Sequence, residues 1–268
     1  MKKPVVVGCG NMGSALIEAL LQQGVYDAQA FTIVEKQQNP YIDKFAVQKA
    51  VVLDEIEKLA GNLELVILAV KPQDSASVMK QVASKVNADT LVISIMAGIS
   101  IAEIDSIIPG VQIIRCMPNT PCSIQQGMIV YCGNSRVSAE SFELAQQVLS
   151  ATGRAFQVKD EIMIDAATAI SGSGPAYVFF LAEALKEGAT RLGFNAEQSE
   201  LLATQTLLGS AMLLNQSPDS PEELRRKVTS PGGTTEAALK TFAEQQVKEK
   251  LIEGFKASYD RSLELGRK

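Results

Sequence analysis

The sequence predicts an α/β fold, in which an N-terminal Rossmann-type, doubly wound sheet precedes an all-helical C-terminal dimerisation domain. Up to about residue 160, short runs of Val, Ile and Leu alternate with helical patterns, which is typical of a parallel sheet buried on both faces. After Asp160 the alternation stops and the pattern is almost wholly helical. A glycine-rich loop directly follows the first apolar run. The predicted domains are therefore residues 1–160, which bind a dinucleotide, and residues 161–268, which dimerise and bind substrate.

The elements follow from these patterns in chain order. Apolar runs predict strands at 5–7, 31–34, 65–69, 91–94, 111–114, 128–131 and 155–158, and helical periodicity predicts helices at 11–23 and 138–150. The helical stretch 161–192 contains Ser-Gly-Ser-Gly-Pro at 171–175, where we expect a break. A helix at 197–215 is apolar over most of its circumference, so it must be buried inside the monomer or against another subunit. One amphipathic helix is expected over 235–265. This much apolar surface favours a dimerisation domain over the alternative, a self-contained helical bundle.

Composition excludes several classes of function. The chain has 268 residues, 46% of them hydrophobic, and a net charge of −5 with no basic stripe, so nucleic acid is not expected as a partner. Glycines and polar residues interrupt the first apolar stretch, and no run approaches the roughly 18 apolar residues of a membrane span. We therefore expect a cytoplasmic protein. There is no histidine, which excludes Ser-His-Asp and Cys-His catalysis and most zinc sites. The four cysteines lack metal-ligand spacing, so no metal is expected.

The glycine loop Gly8-Cys9-Gly10-Asn11-Met12-Gly13 fits the dinucleotide-binding pattern G-x-G-x-x-G. Gly8 permits the tight turn, Gly10 lets the backbone approach a pyrophosphate, and Gly13 lets the helix lie close to the sheet. About 20 residues further on, Glu35 can accept hydrogen bonds from ribose hydroxyls. Its charge would repel the 2′-phosphate of NADP, which Lys36 could soften. The alternative for the loop is a close-packed turn without a ligand, and Glu35 could be an ordinary solvated charge.

Two further strand ends lie where ligands bind an open parallel sheet. They are Ala69-Val70-Lys71-Pro72 and the segment containing Met96 and Ala97. Lys71 could reach ribose or phosphate oxygens, or it is simply solvated.

A second candidate site is the segment Ser230-Pro231-Gly232-Gly233-Thr234-Thr235. Proline and two glycines leave backbone N–H groups open to close approach, and Thr234 and Thr235 are candidate N-caps with Glu236 in the first helical turn. A helix N-terminus of this kind binds a carboxylate or a phosphate. The loop lacks the lysine of phosphate-binding glycine loops, which favours a carboxylate. The alternative is a turn and cap that bind nothing.

Three windows, at 115–121, 171–177 and 228–235, together with the glycine loop and residues 69–72, closely resemble pyrroline-5-carboxylate reductase, the last enzyme of proline biosynthesis. The resemblance extends over essentially the whole chain. It implies reduction of L-1-pyrroline-5-carboxylate to L-proline by NADPH or NADH. It also implies a helical domain that interleaves with a partner's in a homodimer, which some members assemble further.

The resemblance also implies roles for individual residues. Residues 8–13, Ala69 to Pro72, Met96 and Ala97 would hold the cofactor, and Gly233, Thr234 and Thr235 would hold the substrate. To these the residue patterns described above add Glu35 and Lys36 at the cofactor site and Ser230 and Gly232 in the substrate-binding turn. The family position matching Glu35 is often a small hydroxyl residue that helps to bind a 2′-phosphate, so the carboxylate here favours NADH. A protonated cyclic imine is already electrophilic, so hydride can attack it without an enzymatic acid, in agreement with the missing histidine. We expect the Thr235 hydroxyl to orient the ring nitrogen as the catalytic contact.

Two other functions would also suit a dinucleotide-binding domain joined to a helical one. A β-hydroxyacid dehydrogenase also joins a Rossmann domain to a helical one, but it needs a base, usually a lysine on the first helix of the second domain, and residues 169–175 contain no lysine. A redox-sensing regulator would bind NAD(H) without turnover. The acidic balance and the lack of a DNA-reading motif count against a regulator.

Overall fold

The computed structural model of the protein describes residues 2–266. Within them, a single eight-stranded sheet has the strand order β3-β2-β1-β4-β5-β6-β7-β8. The strands are β1 (Pro4–Val7), β2 (Thr32–Val34), β3 (Val51–Leu53), β4 (Leu65–Leu68), β5 (Leu91–Ser94), β6 (Gln112–Met117), β7 (Gly127–Gly133) and β8 (Gly153–Gln157). Neighbouring strands pair in parallel, except that β6 and β7 are antiparallel. The antiparallel pair follows from its short connection, because a parallel return needs a crossover of about a dozen residues or more.

Both faces of the sheet are buried. Alternate residues of one strand belong to different apolar clusters: Val6 lies in one cluster, and Val5 and Val7 lie in the other. The same alternation separates Ile67 from Val66 in β4. The helices that accompany the sheet are α1 (Asn11–Gln22), α2 (Pro40–Val47), α3 (Ser75–Ala83), α4 (Ile101–Ile107), α5 (Ala139–Ser150) and α6 (Ile162–Ala167). The doubly wound α/β prediction is confirmed.

The remainder of the described chain is helical, as expected. A π-helical turn, Thr168–Gly172, follows α6. The helices after it are α7 (Gly174–Arg191), α8 (Ala196–Gln216), α9 (Pro221–Lys227), α10 (Thr234–Glu244) and α11 (Val247–Leu265). The break expected at 171–175 is present as this π-helical turn and the start of α7.

The prediction of one helix over 235–265 is wrong. Helix α10 ends at Glu244 and α11 begins at Val247. Between them Gln246 has a φ of +53°, a left-handed conformation that stops the helical hydrogen-bond pattern.

Contacts divide the chain into two compact units. One comprises the residues up to Ser173 together with those from Ser258 onward, and the other is Gly174–Ala257. These units are not the predicted domains, so the functional boundary near residue 160 stays a prediction. Among the residues described here, no helix has both the length and the apolar character needed to cross a membrane.

Helix α8 lies largely open in the single chain. Of its residues, all of which are described, only Ser199 and Ala203 are buried. Five of its six leucines are exposed in the single chain, so burial inside the monomer, one of the two expectations for this helix, is not observed.

Candidate functional site

The glycine loop joins β1 to α1 at the carboxyl edge of the sheet. Gly8 has a φ of +99°, and a β-carbon added there would lie 2.7 Å from the carbonyl oxygen of Ala69 at the end of β4. A β-carbon at Gly13 would lie 2.3 Å from the carbonyl oxygen of Gly8. Gly10 differs, since no described atom lies within 4 Å of the β-carbon that it lacks. Packing thus requires the outer two glycines, whereas Gly10 leaves space that a pyrophosphate can use.

Glu35 follows β2 and lies against this loop. Its Oε2 accepts a hydrogen bond from the Cys9 N–H at 2.7 Å, and its Oε1 accepts one from the Gln37 N–H at 3.0 Å. The side chain is half-buried, whereas Lys36 is exposed. Glu35 is therefore held against the glycine loop and is not a freely solvated charge; dinucleotide-binding folds place an acidic residue at this position.

Two side chains that are not predicted from the sequence, Asn39 and Tyr41, contact the glycine loop. Asn39 Nδ2 donates to the Cys9 carbonyl at 3.3 Å, and the Tyr41 hydroxyl donates to Asn11 Oδ1 at 3.2 Å. Asn39 is also the N-cap of α2, where its Oδ1 accepts the N–H groups of Tyr41 and Ile42. The Asn-Pro pair was the available signal, because Asn favours the N-cap and Pro favours the first helical position.

The other predicted cofactor residues follow neighbouring strands. Ala69 and Val70 are half-buried after β4, and Lys71 and Pro72 are exposed beyond them. After β5, the side chain of Met96 is buried in the core and Ala97 is exposed. Strands β1 and β4 are adjacent in the sheet although they are not consecutive in the chain. From β1 to β3 the chain adds strands on one side of β1, and from β4 onward it adds them on the other side. Open α/β sheets bind ligands at such a point.

The thiol of Cys9 is not a reactive group. Burial raises its pKa to about 12, and the carboxylates of Glu35 and Glu18 add to the shift. Cys9 therefore contributes its backbone N–H to the site, and its thiol stays protonated at neutral pH.

The second candidate site is the turn between α9 and α10. The Gly233 N–H donates to the Ser230 carbonyl at 3.0 Å, and Gly232 has a φ of +71°. With Pro231 before this glycine, the geometry is that of a type II turn. The expected N-cap role of Thr234 and Thr235 is wrong. Gly233 takes the extended backbone of the N-cap, so the threonines occupy the first two positions of the helix itself.

The backbone donors of this turn fall into two groups. The Gly232 N–H donates to Glu236 Oε2 at 2.7 Å, so both glycine amides are bonded within the turn. In the described part of the chain, the N–H groups of Thr234, Thr235 and Glu236 have no protein acceptor, as is usual for a first helical turn. These three donors are available to bind an anion at the N-terminus of α10.

Charged side chains of both signs line a groove beside the turn. The groove has a volume of about 790 Å³ and is bordered by Thr229 and Glu236. Arg225, Arg226 and Lys240 are among the residues that line it. The same groove is also lined by Glu222, Glu236 and Glu249, so its charge is mixed.

Two of the sequence windows meet at the π-helical turn. Asn119 Nδ2 donates to the Ser171 carbonyl at 3.0 Å, while its Oδ1 accepts the Met128 N–H at 3.0 Å. A β-carbon on Gly172 would lie 2.8 Å from the Met117 methyl group. The glycine therefore allows the close approach of these windows. Single π-helical turns are frequent at functional sites.

A buried ion-pair cluster supports α6 and the end of α11. Arg115 contacts Glu161 Oε1 at 2.8 Å and Asp165 Oδ1 at 3.0 Å, and the Ser262 hydroxyl donates to Asp165 at 2.9 Å. Burial opposes the charged form of Arg115, but hydrogen bonds and charge from the two carboxylates outweigh it and raise its pKa. No local sequence pattern indicates this cluster, because Arg115, Asp165 and Ser262 are far apart along the chain.

Comparison with known proteins identifies relatives of this chain. Residues 161–265 match the family model for pyrroline-5-carboxylate reductase dimerisation, and residues 3–98 match the model for NADP oxidoreductase, coenzyme F420-dependent. The pyrroline-5-carboxylate reductase of Pseudomonas aeruginosa is 39% identical, over 97% of this chain and 95% of that protein.

Solved structures give the same result. A pyrroline-5-carboxylate reductase from Coxiella burnetii has a TM-score of 0.91 at 33% identity, covering 98% of each chain. A Plasmodium falciparum pyrroline carboxylate reductase with NADP bound has a TM-score of 0.87 at 27% identity, covering 99% of this chain and 98% of that one. These relatives favour a reductase over the β-hydroxyacid dehydrogenase alternative. The chain therefore belongs to the pyrroline-5-carboxylate reductase family.

Proposed function

We propose that this protein reduces L-1-pyrroline-5-carboxylate to L-proline with NADPH or NADH. The observation that carries the proposal is the turn before α10, whose three first-turn amides suit the carboxylate of a small imino acid. Membership of the reductase family supports the same reaction.

The residues of the glycine loop fit a dinucleotide. Gly8 and Gly13 allow the close packing of loop, strand and helix, and Gly10 leaves its backbone approachable. Glu35 accepts hydrogen bonds from the ribose hydroxyls, and the strand ends at 69–72 and 96–97 complete the cofactor site. When bound, the cofactor supplies the hydride. The protein's task is to hold and orient it.

The residues of the turn hold the substrate. The amides at Thr234, Thr235 and Glu236 bind the carboxylate, and Ser230, Gly232 and Gly233 shape the turn around it. The Thr235 hydroxyl hydrogen-bonds the ring nitrogen and fixes the face of the imine that accepts hydride. The protonated imine is already electrophilic, so the chain needs no histidine for this step.

The domain roles, assembly and location form part of the proposal. Residues 1–160 bind the cofactor, and residues 161–268 bind substrate and dimerise. The dimerisation-model match, which begins at residue 161, supports this division. The working unit is a homodimer or an assembly of such dimers, and the protein acts in the cytoplasm.

Initial rates with pyrroline-5-carboxylate, measured in parallel with NADH and NADPH, test the activity. We expect oxidation of the cofactor that depends on the imine and yields L-proline. Direct quantification of proline makes the result independent of the absorbance of the cofactor. The proposal fails if no proline forms. Oxidation of 3-hydroxyacids in preference to L-proline at alkaline pH would instead indicate the dehydrogenase.

Thr235→Ala tests the catalytic contact. We expect kcat/KM for the imine to fall about 10- to 1000-fold, if the hydrogen bond to nitrogen tightens in the transition state. Thr241→Ala is the matched control, because Thr241 lies on the same helix and its hydroxyl donates to the Ala237 carbonyl. An unchanged rate for Thr235→Ala would remove this residue from the mechanism.

A further inference from the structure

Glu236 folds back from the first turn of α10 onto the turn that precedes the helix. Its Oε2 accepts the Gly232 N–H at 2.7 Å, and its side chain is exposed to solvent. We propose that Glu236 is a positioning residue for substrate binding, which holds the turn so that the first amides of α10 meet the substrate carboxylate. The inference rests on the proposed function.

The turn needs such a support. Gly232 and Gly233 are adjacent, and glycine loses more conformational freedom on ordering than any other residue. Gly232 also adopts a left-handed φ of +71°. Within the described residues, two hydrogen bonds fix these glycine amides: Gly233 N–H to the Ser230 carbonyl, and Gly232 N–H to Glu236. The second is the only one of the two that a side chain supplies.

The position of this hydrogen bond shows whether Glu236 stabilises the turn or occupies the place of the substrate carboxylate. A carboxylate that mimicked the substrate would bond the free first-turn amides of Thr234 and Thr235. Glu236 instead bonds Gly232, two residues before the helix begins, and leaves those amides without a protein acceptor among the described residues. Its carboxylate therefore stabilises the turn and does not occupy the place of the substrate.

Kinetics of three variants test the proposal. Glu236→Ala removes both acceptor and charge, whereas Glu236→Gln keeps an acceptor of the same length. We expect Glu236→Ala to raise the KM for pyrroline-5-carboxylate about 3- to 10-fold, the loss of roughly one hydrogen bond. The KM for the cofactor should stay unchanged, and Glu236→Gln should restore most of the affinity. Glu244→Ala, an exposed glutamate at the end of the same helix, is the control.

Calorimetric binding of L-proline gives a second readout without turnover, and its dissociation constant should follow the KM. If Glu236→Ala does not fold, Glu236→Asp withdraws the carboxylate by one methylene and should raise the KM in the same way. The inference is overturned if the alanine variant binds like the wild type, if glutamine is as weak as alanine, or if both variants bind more tightly. Absence of proline formation by the wild type would refute the proposed function itself, whereas an active wild type with unchanged variants refutes only the role of Glu236.

Discussion

Individual glycines of the nucleotide loop have separable roles. Gly8→Ala should destabilise the protein by about 1–3 kcal/mol, since a residue with a β-carbon is strained at φ +99° and meets the Ala69 carbonyl. Gly10→Ala should fold with wild-type stability, because its φ of −80° suits any residue and no described atom crowds it. It should nevertheless raise the KM for the cofactor. Urea unfolding and cofactor kinetics on both variants check this, and normal cofactor binding by Gly10→Ala would show that no pyrophosphate approaches there.

Glu35 is expected to set the choice between cofactors. Glu35→Ser removes a fixed negative charge, so the ratio of kcat/KM for NADPH to that for NADH should rise about tenfold or more, the effect of roughly 1.4 kcal/mol of charge repulsion. Glu35→Gln is the companion variant, because it removes the charge but keeps an acceptor for the Cys9 N–H. Parallel kinetics with both cofactors measure the ratio. An unchanged ratio in the serine variant would contradict discrimination by charge.

The roles of individual residues are predicted best where a local sequence pattern requires one type of residue. The positions of Gly8 and Gly13 follow from the G-x-G-x-x-G spacing, and their close contacts agree with the predicted packing. Asn39 and Tyr41 were not predicted, because their contacts with Cys9 and Asn11 cross about 30 residues of chain. The capping threonines were mispredicted because a glycine can take the N-cap backbone at little steric cost.

Arg115 on β6 forms a buried ion pair with Asp165 on α6, and Asp165 accepts a hydrogen bond from Ser262 on α11. This cluster connects elements that are far apart in sequence. Arg115→Met would leave Asp165 buried without its cationic partner, so we expect a loss of about 3–5 kcal/mol in the free energy of unfolding. Lys44→Met is the matched control. Its pair with Glu18 is partly exposed and should contribute at most about 1 kcal/mol. Urea unfolding at one fixed protein concentration compares them, and equal losses would contradict a special contribution from the buried cluster.

Element boundaries show why periodicity has limits. The apolar stripe continues across residues 245–246, and glutamine is a good helix former, so neither pattern nor propensity indicates the break between α10 and α11. The break depends on Gln246, which adopts a left-handed conformation that glycine or asparagine usually adopts at the end of a helix. Strand β3 is not among the predicted strands, although Val51-Val52-Leu53 is an apolar run of the same kind as Val5-Val6-Val7. In the structure it is a three-residue strand at the edge of the sheet, and Val51 is half exposed.

At the scale of the whole molecule, the main feature is the exposed apolar surface of helices α7 and α8, which nothing in the described part of the single chain buries. Large apolar side chains exposed in the single chain include Val178, Phe179, Phe180, Leu181, Leu185, Leu201, Leu202, Leu208, Met212, Leu213 and Leu214. A soluble monomer rarely exposes so extensive an apolar surface. The dimerisation-family match supports association between copies of this chain. The sequence predicts this from the apolar circumference of the helix at 197–215, but it does not define the number of subunits.

Association through these helices can be tested by one charge. Phe180 is 66% exposed in the single chain, and Phe180→Glu would place a carboxylate in any interface formed by α7. An isologous interface would bury that charge twice, so we expect the dissociation constant to rise about 100-fold or more. Val47→Glu is the control, because Val47 is 83% exposed on α2, outside the helical unit. Sedimentation at micromolar concentration should find Val47→Glu associated like the wild type and Phe180→Glu shifted towards single chains. Wild-type sedimentation of Phe180→Glu would place the interface on another surface.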